Sequence, residues 1–216
     1  MLEINDLYEI KNDYLKPLFE CTYPWEILPK IKDYTLALIK NPPEGFKLHS
    51  EGILIGEGVE IDKGATIIPP VVIGHNTKIR TGAFIRGNVI TGESCVIGNS
   101  SEIKNSILLN NAQVPHYNYV GDSILGNYAH MGAGSILSNL KLGGKCVIIH
   151  ADIDYETNLR KVGAFLGDYA DIGCNCVLNP GTIVGKSTRI YPLNSIRGVI
   201  SANSIVKSQE NIIAKR

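Results

Sequence analysis

The sequence predicts an all-β protein, a parallel β-helix with three short faces per coil. Three observations carry that reading. Aliphatic residues recur every six positions over most of the chain. Glycine often follows them, as at Gly56, Gly74, Gly98, Gly121, Gly132 and Gly173. A period of six is neither helical nor the strict alternation of a half-buried strand.

The anchors start at Ile55 and step through Ile61, Ile67, Ile73, Ile79, Ile85, Thr91, Ile97, Ile103 and Leu109. Nine of these ten are Ile or Leu, as expected of side chains that fill a prism. The register slips by one residue to Val114 and Val120, then again to Leu125, Met131 and Leu137. It returns at Leu166, Ile172, Leu178, Val184, Ile190 and Ile196. Three steps make a coil of 18 residues, so Ile55 and Ile73 should stack. One coil cannot bury its own apolar side, so stability must come from neighbouring coils.

The repeat divides the chain into residues 1–50, 51–200 and 201–216. Residues 1–50 lack it. The stretches LYEIKNDYLKPLFE and PWEILPKIKDYTLALIK suit helices, with Pro24 and Pro29 as breaks, and NPPEG suits a linker. This segment either caps the open first coil or serves oligomer contacts or the site. Residues 138–165 interrupt the six-step as a charged insertion, and long ordered loops on rigid scaffolds are disproportionately functional. Residues 201–216 read as a short peripheral tail.

The 216 residues include 21 basic and 21 acidic side chains, a formal net charge of zero. That balance argues against nucleic-acid or polybasic membrane partners and leaves a local basic pocket open. The N-terminus MLEINDLYEI does not resemble a signal peptide, and no apolar run approaches the roughly 20 residues of a membrane span. Five scattered cysteines, Cys21, Cys95, Cys146, Cys174 and Cys176, suit free thiols in a reducing cytoplasm, the expected location. Cys174 and Cys176 form a CxC pair that nothing nearby completes to four ligands, so no metal is expected.

With the prism filled, a site must lie on the outer faces, at loops or between subunits. Arg86, Lys104, His116, Tyr119, His130, Asn139 and Lys145 are the candidates. Arg86 and Lys104 are one coil apart, so two cations should stack. Stacked cations repel unless an anion or a carboxylate lies between them. Glu102 or another acid is one solution, and a phosphate ligand is the other. His116 suits an ordinary turn residue. A neutral imidazole near pH 7 also accepts a proton from an attacking amine or hydroxyl.

The run VPHYNYVGDSILGNYAHMGAGSILSN resembles the acetyltransferase half of bifunctional glucosamine-1-phosphate acetyltransferase/N-acetylglucosamine-1-phosphate uridyltransferases. The shared pattern is H-x-x-Y-x-G-D, here from His116 through Tyr119 to Gly121 and Asp122, followed by the Gly132-Ala133-Gly134 turn. TNLRKVGAFLGDYADIGCNCVLNPGTIVG is similar to the C-terminal part of two-domain sugar-1-phosphate nucleotidylyltransferases. The likeness covers roughly residues 50 to 200. It implies a left-handed β-helix, a homotrimer with sites between subunits, acetyl-CoA as co-substrate and no metal.

The same resemblance implies residue roles. His116 is the general base toward a sugar amine, and Arg86 and Lys104 hold the sugar phosphate. Tyr119, Asn139 and Lys145 contact the acceptor. Ala133 offers a backbone amide to the thioester, and Cys174 and Pro192 line the CoA arm. His130 stands where the family's acceptor site has an asparagine. The insertion is longer than in the bifunctional enzyme, and no stretch reads as a nucleotide-binding half.

The expected function is CoA-dependent acetyl transfer to an amino sugar, preferably a sugar-1-phosphate. The alternative is a non-catalytic trimeric sugar-phosphate-binding scaffold. A zinc carbonic anhydrase on the same architecture needs an H-x4-H pair, which His49, His75, His116, His130 and His150 do not form.

Overall fold

A computed structural model describes residues 2–215. Among them, short strands build three long sheets of nine, nine and seven strands, and apart from the terminal strands Lys47–Ser50 and Asn211–Ala214 each strand pairs with its equivalent one coil away. Every pairing between successive coils is parallel. The chain is a parallel β-helix.

The first face runs from Ile53–Ile55 to Val199–Ile200, with Ile55 over Ile73, Leu108 over Thr91 and Leu125 over Leu166. The anchors of all three faces meet in one buried core that includes Ile73, Ile85, Ile97, Val114, Val120, Leu137, Leu178 and Ile196. Thr91 breaks the aliphatic pattern without loss, because its buried hydroxyl accepts the Gly74 N–H at 2.9 Å. The first slip falls one repeat earlier than the spacing suggests. Leu108 is the inward anchor and Leu109 turns outward, because the chain shortens its corner before Ser106–Leu108.

First-face strands read as apolar triplets such as ILI, VVI and AFL, and all three residues are buried. The middle residues, including Leu54, Val72, Ile90, Ile107, Ile124, Phe165 and Ile183, point away from the prism. The N-terminal segment covers them. Leu7, Tyr8, Leu15, Phe19, Trp25, Ile27 and Ile31 form a second buried cluster with them. Polar anchors hold this strap: the Tyr14 hydroxyl donates to the Thr91 carbonyl at 3.0 Å, and the Glu9 N–H donates to the Asp168 carboxylate at 2.9 Å. A sheet buried on both faces loses its alternation, which the triplets record.

The strap is less helical than its sequence suggests. Its longest helix is Ile31–Lys40, preceded by single 3-10 turns at Pro24–Glu26 and Leu28–Lys30 that the prolines separate. LYEIKNDYLKPLFE holds one 3-10 turn, Lys16–Phe19, because its backbone is drawn out along the flank. Strand Lys47–Ser50 then pairs antiparallel with Ile53–Ile55 and covers that edge. The C-terminal segment is no loose tail. Ser204–Ser208 extends the second face, and Asn211–Ala214 folds back antiparallel over it. Closed edges of this kind suppress strand addition.

The insertion is ordered. An antiparallel hairpin of Ile148–His150 and Asp154–Glu156 stands on the flank, where Tyr155 packs edge-on against Tyr23 and Trp25. Among the described residues, no helix is long and apolar enough to cross a membrane.

Candidate acyl-transfer site at one corner of the prism

The strand Gln113–His116 ends the second face of its coil, and Tyr119–Gly121 begins the third. The corner between them turns on Tyr117, at φ +51°. Asn118 is buried and holds this corner rigid. It accepts the His116 N–H at 3.1 Å and donates to the Gly132 carbonyl at 2.8 Å. The His116 carbonyl accepts the Gly134 N–H at 3.0 Å. The backbone of His116 is therefore pinned, while its side chain stays exposed.

Successive coils stack a single column at this corner. Asn99 pairs with His116 in register, and the ladder continues through Ala133 and Cys174 to Pro192. The bonds that carry it run from Gly134 N–H to His116, Asn175 N–H to Ala133 and Leu193 N–H to Cys174. The histidine thus heads a row of small side chains, with Cys174 and Pro192 exposed. The Ala133 N–H has no hydrogen-bond acceptor among the described residues.

The third face carries a polar cluster. Continuing the register of Glu102 on Phe84 and Ile103 on Ile85 sets Lys104 beside Arg86. The spacing left two ways to relieve their repulsion, and carboxylates occupy both positions in the chain. Arg86 Nη1 donates to Glu102 Oε1 at 2.7 Å, and Lys104 Nζ lies 3.6 Å from Asp122 Oδ2. Tyr119 stacks on Glu102. Burial, reinforced by Glu102 and Asp122, pushes the Tyr119 hydroxyl above its ordinary value, so it stays protonated at neutral pH.

Asp122 joins this cluster to the rest of the molecule. Its carboxylate is buried and accepts Asn105 Nδ2 at 2.8 Å and Asn139 Nδ2. Asn105 also donates to the strap carbonyl of Leu28 at 3.4 Å. Gly121 has no side chain, and the Tyr119 hydroxyl and Asn139 amide converge over it: a Cβ there would lie 2.6 and 2.7 Å from them.

The structure therefore brings together Arg86, Lys104, Tyr119 and Asn139, and separately His116, Ala133, Cys174 and Pro192, on the two sides of one corner. His130 stands elsewhere on the second face, stacked on Gln113, with Nδ1 3.0 Å from Asp171 Oδ1. Lys145 is exposed in the turn before the hairpin, with no ion pair among the described residues. Sequence reasoning passed over Asn105, Asn118 and Asp122. The signal for Asp122 was present, as the last position of H-x-x-Y-x-G-D.

A family model described as "GMPPB C-terminal domain" matches residues 67–159. The bifunctional protein GlmU of Methanococcus aeolicus is 33% identical over 199 residues, which cover 89% of this chain and 47% of the relative. A bifunctional sugar-1-phosphate nucleotidylyltransferase/acetyltransferase of Sulfurisphaera tokodaii is 35% identical over 141 residues, 65% of this chain and 35% of the relative. UDP-N-acetylglucosamine acyltransferase from Campylobacter jejuni shares the fold with a TM-score of 0.54 at 15% identity, over 76% of this chain and 71% of that one. The chain spans about half the length of the GlmU relatives it matches. It is a hexapeptide-repeat β-solenoid whose sequence is similar to part of the bifunctional GlmU and sugar-1-phosphate nucleotidylyltransferase/acetyltransferase proteins.

Proposed function

We propose that this protein transfers the acetyl group of acetyl-CoA to the amine of an amino sugar, with a sugar-1-phosphate as the preferred acceptor. The observation that carries the proposal is the single column of His116, Ala133, Cys174 and Pro192 beside the Arg86–Tyr119 cluster. A proton acceptor heads a lane of small residues, and hydrogen-bonding groups for a sugar face the same corner. The names of the relatives point the same way, toward sugar-1-phosphate and acetyltransferase chemistry.

In this reading the pantetheine arm lies along Ala133, Cys174 and Pro192, where short side chains let it approach the coils. The sugar lies outside the Tyr119 hydroxyl and the Asn139 amide, which close together over Gly121. Arg86 gives one N–H to Glu102 and keeps further donors for a phosphate. The amine attacks the thioester carbonyl and His116 takes its proton. The free N–H of Ala133 donates to the oxyanion as the tetrahedral intermediate forms. Collapse expels the CoA thiolate, which recovers a proton from His116.

A homotrimer is the expected assembly, with a second subunit closing the open side of the lane. His130 and Lys145, which stand apart within one chain, then serve the acceptor from across the interface. The test is thiol release from acetyl-CoA with glucosamine-1-phosphate, galactosamine-1-phosphate and the unphosphorylated amino sugars. Turnover that depends on the phosphate supports the proposal. Saturable sugar-phosphate binding without thiol release supports the non-catalytic scaffold instead.

A further inference from the structure

We propose that the insertion builds a second binding site, a cleft that takes a nucleoside diphosphate. The cleft has a volume of about 760 Å³ and lies between the insertion and the last coils of the third face. Ligand pockets for small organic molecules span roughly 300–1,000 Å³. A bare β-helix has no such hollow. It exists because the hairpin docks on the corner at Gly181, where φ is +82° and a Cβ would fall 2.8 Å from Val147 Cγ1.

The lining fixes the ligand's chemistry. Lys141 and Arg197 reach the cleft, and no Asp or Glu lines it. Neither cation has a side-chain hydrogen bond or ion pair among the described residues. In a chain of zero net charge, two uncompensated cations over one hollow favour an anion, and a guanidinium and an ammonium lining the same hollow suit a phosphate pair. Part of the wall is apolar. Leu140, Leu142 and Ile148 line it, Leu140 is exposed, and Leu142 is fully exposed at 103%. An organic ring laid on these side chains removes apolar surface from water. Inorganic phosphate alone leaves that wall bare, and an uncharged ring leaves the cations bare, so the lining asks for both in one molecule.

The cleft adjoins the acceptor cluster. Ser138 and Leu140 line it, and Asn139 between them bonds to Asp122. The nucleoside diphosphate comes either as part of a nucleotide-linked amino sugar or as a free nucleotide acting beside the site. Its recognition does not depend on the acetyl-transfer proposal.

The test is calorimetric titration of the full chain with UDP, GDP and ADP, and with pyrophosphate and uridine alone. Wild type is compared with the double variant Lys141→Gln/Arg197→Gln, whose side chains make no hydrogen bond or ion pair among the described residues. At least one diphosphate should bind saturably, more tightly than pyrophosphate or uridine. The double variant should weaken it by about tenfold or more, with an unchanged melting curve. Absence of binding by all three, equal binding by the double variant, or pyrophosphate binding as tightly as the nucleotide would each overturn the proposal. Steady-state inhibition separates the sources. Competition with the acceptor points to a nucleotide-linked sugar, and inhibition or activation without competition points to a free nucleotide.

Discussion

The amide of Asn139 donates to the buried carboxylate of Asp122, which also accepts Asn105 at 2.8 Å. This pairing joins the insertion, which begins beside Asn139, to the repeat that carries Lys104 and Tyr119. It extends through Asn105 to the strap at Leu28. The acceptor cluster is thus held by both segments that depart from the repeat.

Asp122→Asn tests that relationship with little backbone cost. Asp122 sits at φ +48°, and asparagine tolerates this region as well as aspartate. The variant keeps one acceptor oxygen for two amides and loses its charge opposite Lys104. The acceptor KM should rise by about tenfold, with a smaller change in kcat and a melting temperature close to wild type. Asp122→Ala should also destabilise the fold by about 1–3 kcal/mol, because Asn105 and Asn139 lose their acceptor. An unchanged KM in Asp122→Asn would show that the pairing does not position the cluster.

Thiol chemistry reads the column beside His116. Cys95 is buried and its thiol is pushed up to about 12, and burial also raises Cys176 and Cys21. Cys146 and Cys174 are exposed. Iodoacetamide should modify these two first, and loss of acetyl transfer should follow modification of Cys174 alone. Acetyl-CoA should protect, and Cys174→Ala should resist inactivation while Cys146→Ser does not. Peptide mass spectrometry checks the assignment; inactivation that persists in Cys174→Ala would remove this residue from the CoA lane.

The strap's contribution to stability is accessible at Trp25. The indole is 5% exposed, stacks on Tyr23 with ring centroids 4.6 Å apart, and packs near Phe165 and Tyr155. Trp25→Ala should cost about 3–5 kcal/mol and lower the melting temperature by about 10 °C. A shift within the error of the melt would mean that the strap adds little to the first face.

Gly98 tests the packing beneath His116. A Cβ at this position would run into the Pro115 carbonyl, which is backbone and has nowhere to move. Gly98→Ala should separate strands Val96–Asn99 and Gln113–His116, lowering both stability and acetyl transfer. Amide exchange across these strands is the readout, and unchanged protection would contradict the close approach.

The interior of the prism was legible because its period has one physical cause, an inward side chain on every face of every coil. The outward columns were harder to read. Leu108 and Leu109 are both apolar, so spacing alone did not tell which of them turns inward once the corner shortens. The triplets ILI, VVI and AFL carried the covered flank, yet a triplet says only that something lies over it, not that residues 4–40 do. Spacing placed Arg86 and Lys104 side by side, but their neutralisation by Glu102 and Asp122 depends on side-chain directions at a corner. Position matching also named His130, which stands on the second face of this chain beside Asp171, apart from the cluster around Tyr119.

In the proposed reaction His116 takes the proton from the attacking amine. The most direct measurement is thiol release from acetyl-CoA by wild type and His116→Ala with glucosamine-1-phosphate, alongside calorimetric binding of acetyl-CoA to each. His116→Ala should bind acetyl-CoA as wild type does, keep its assembly and lose turnover by about 10²–10⁴-fold. Equal turnover by the two proteins would contradict it.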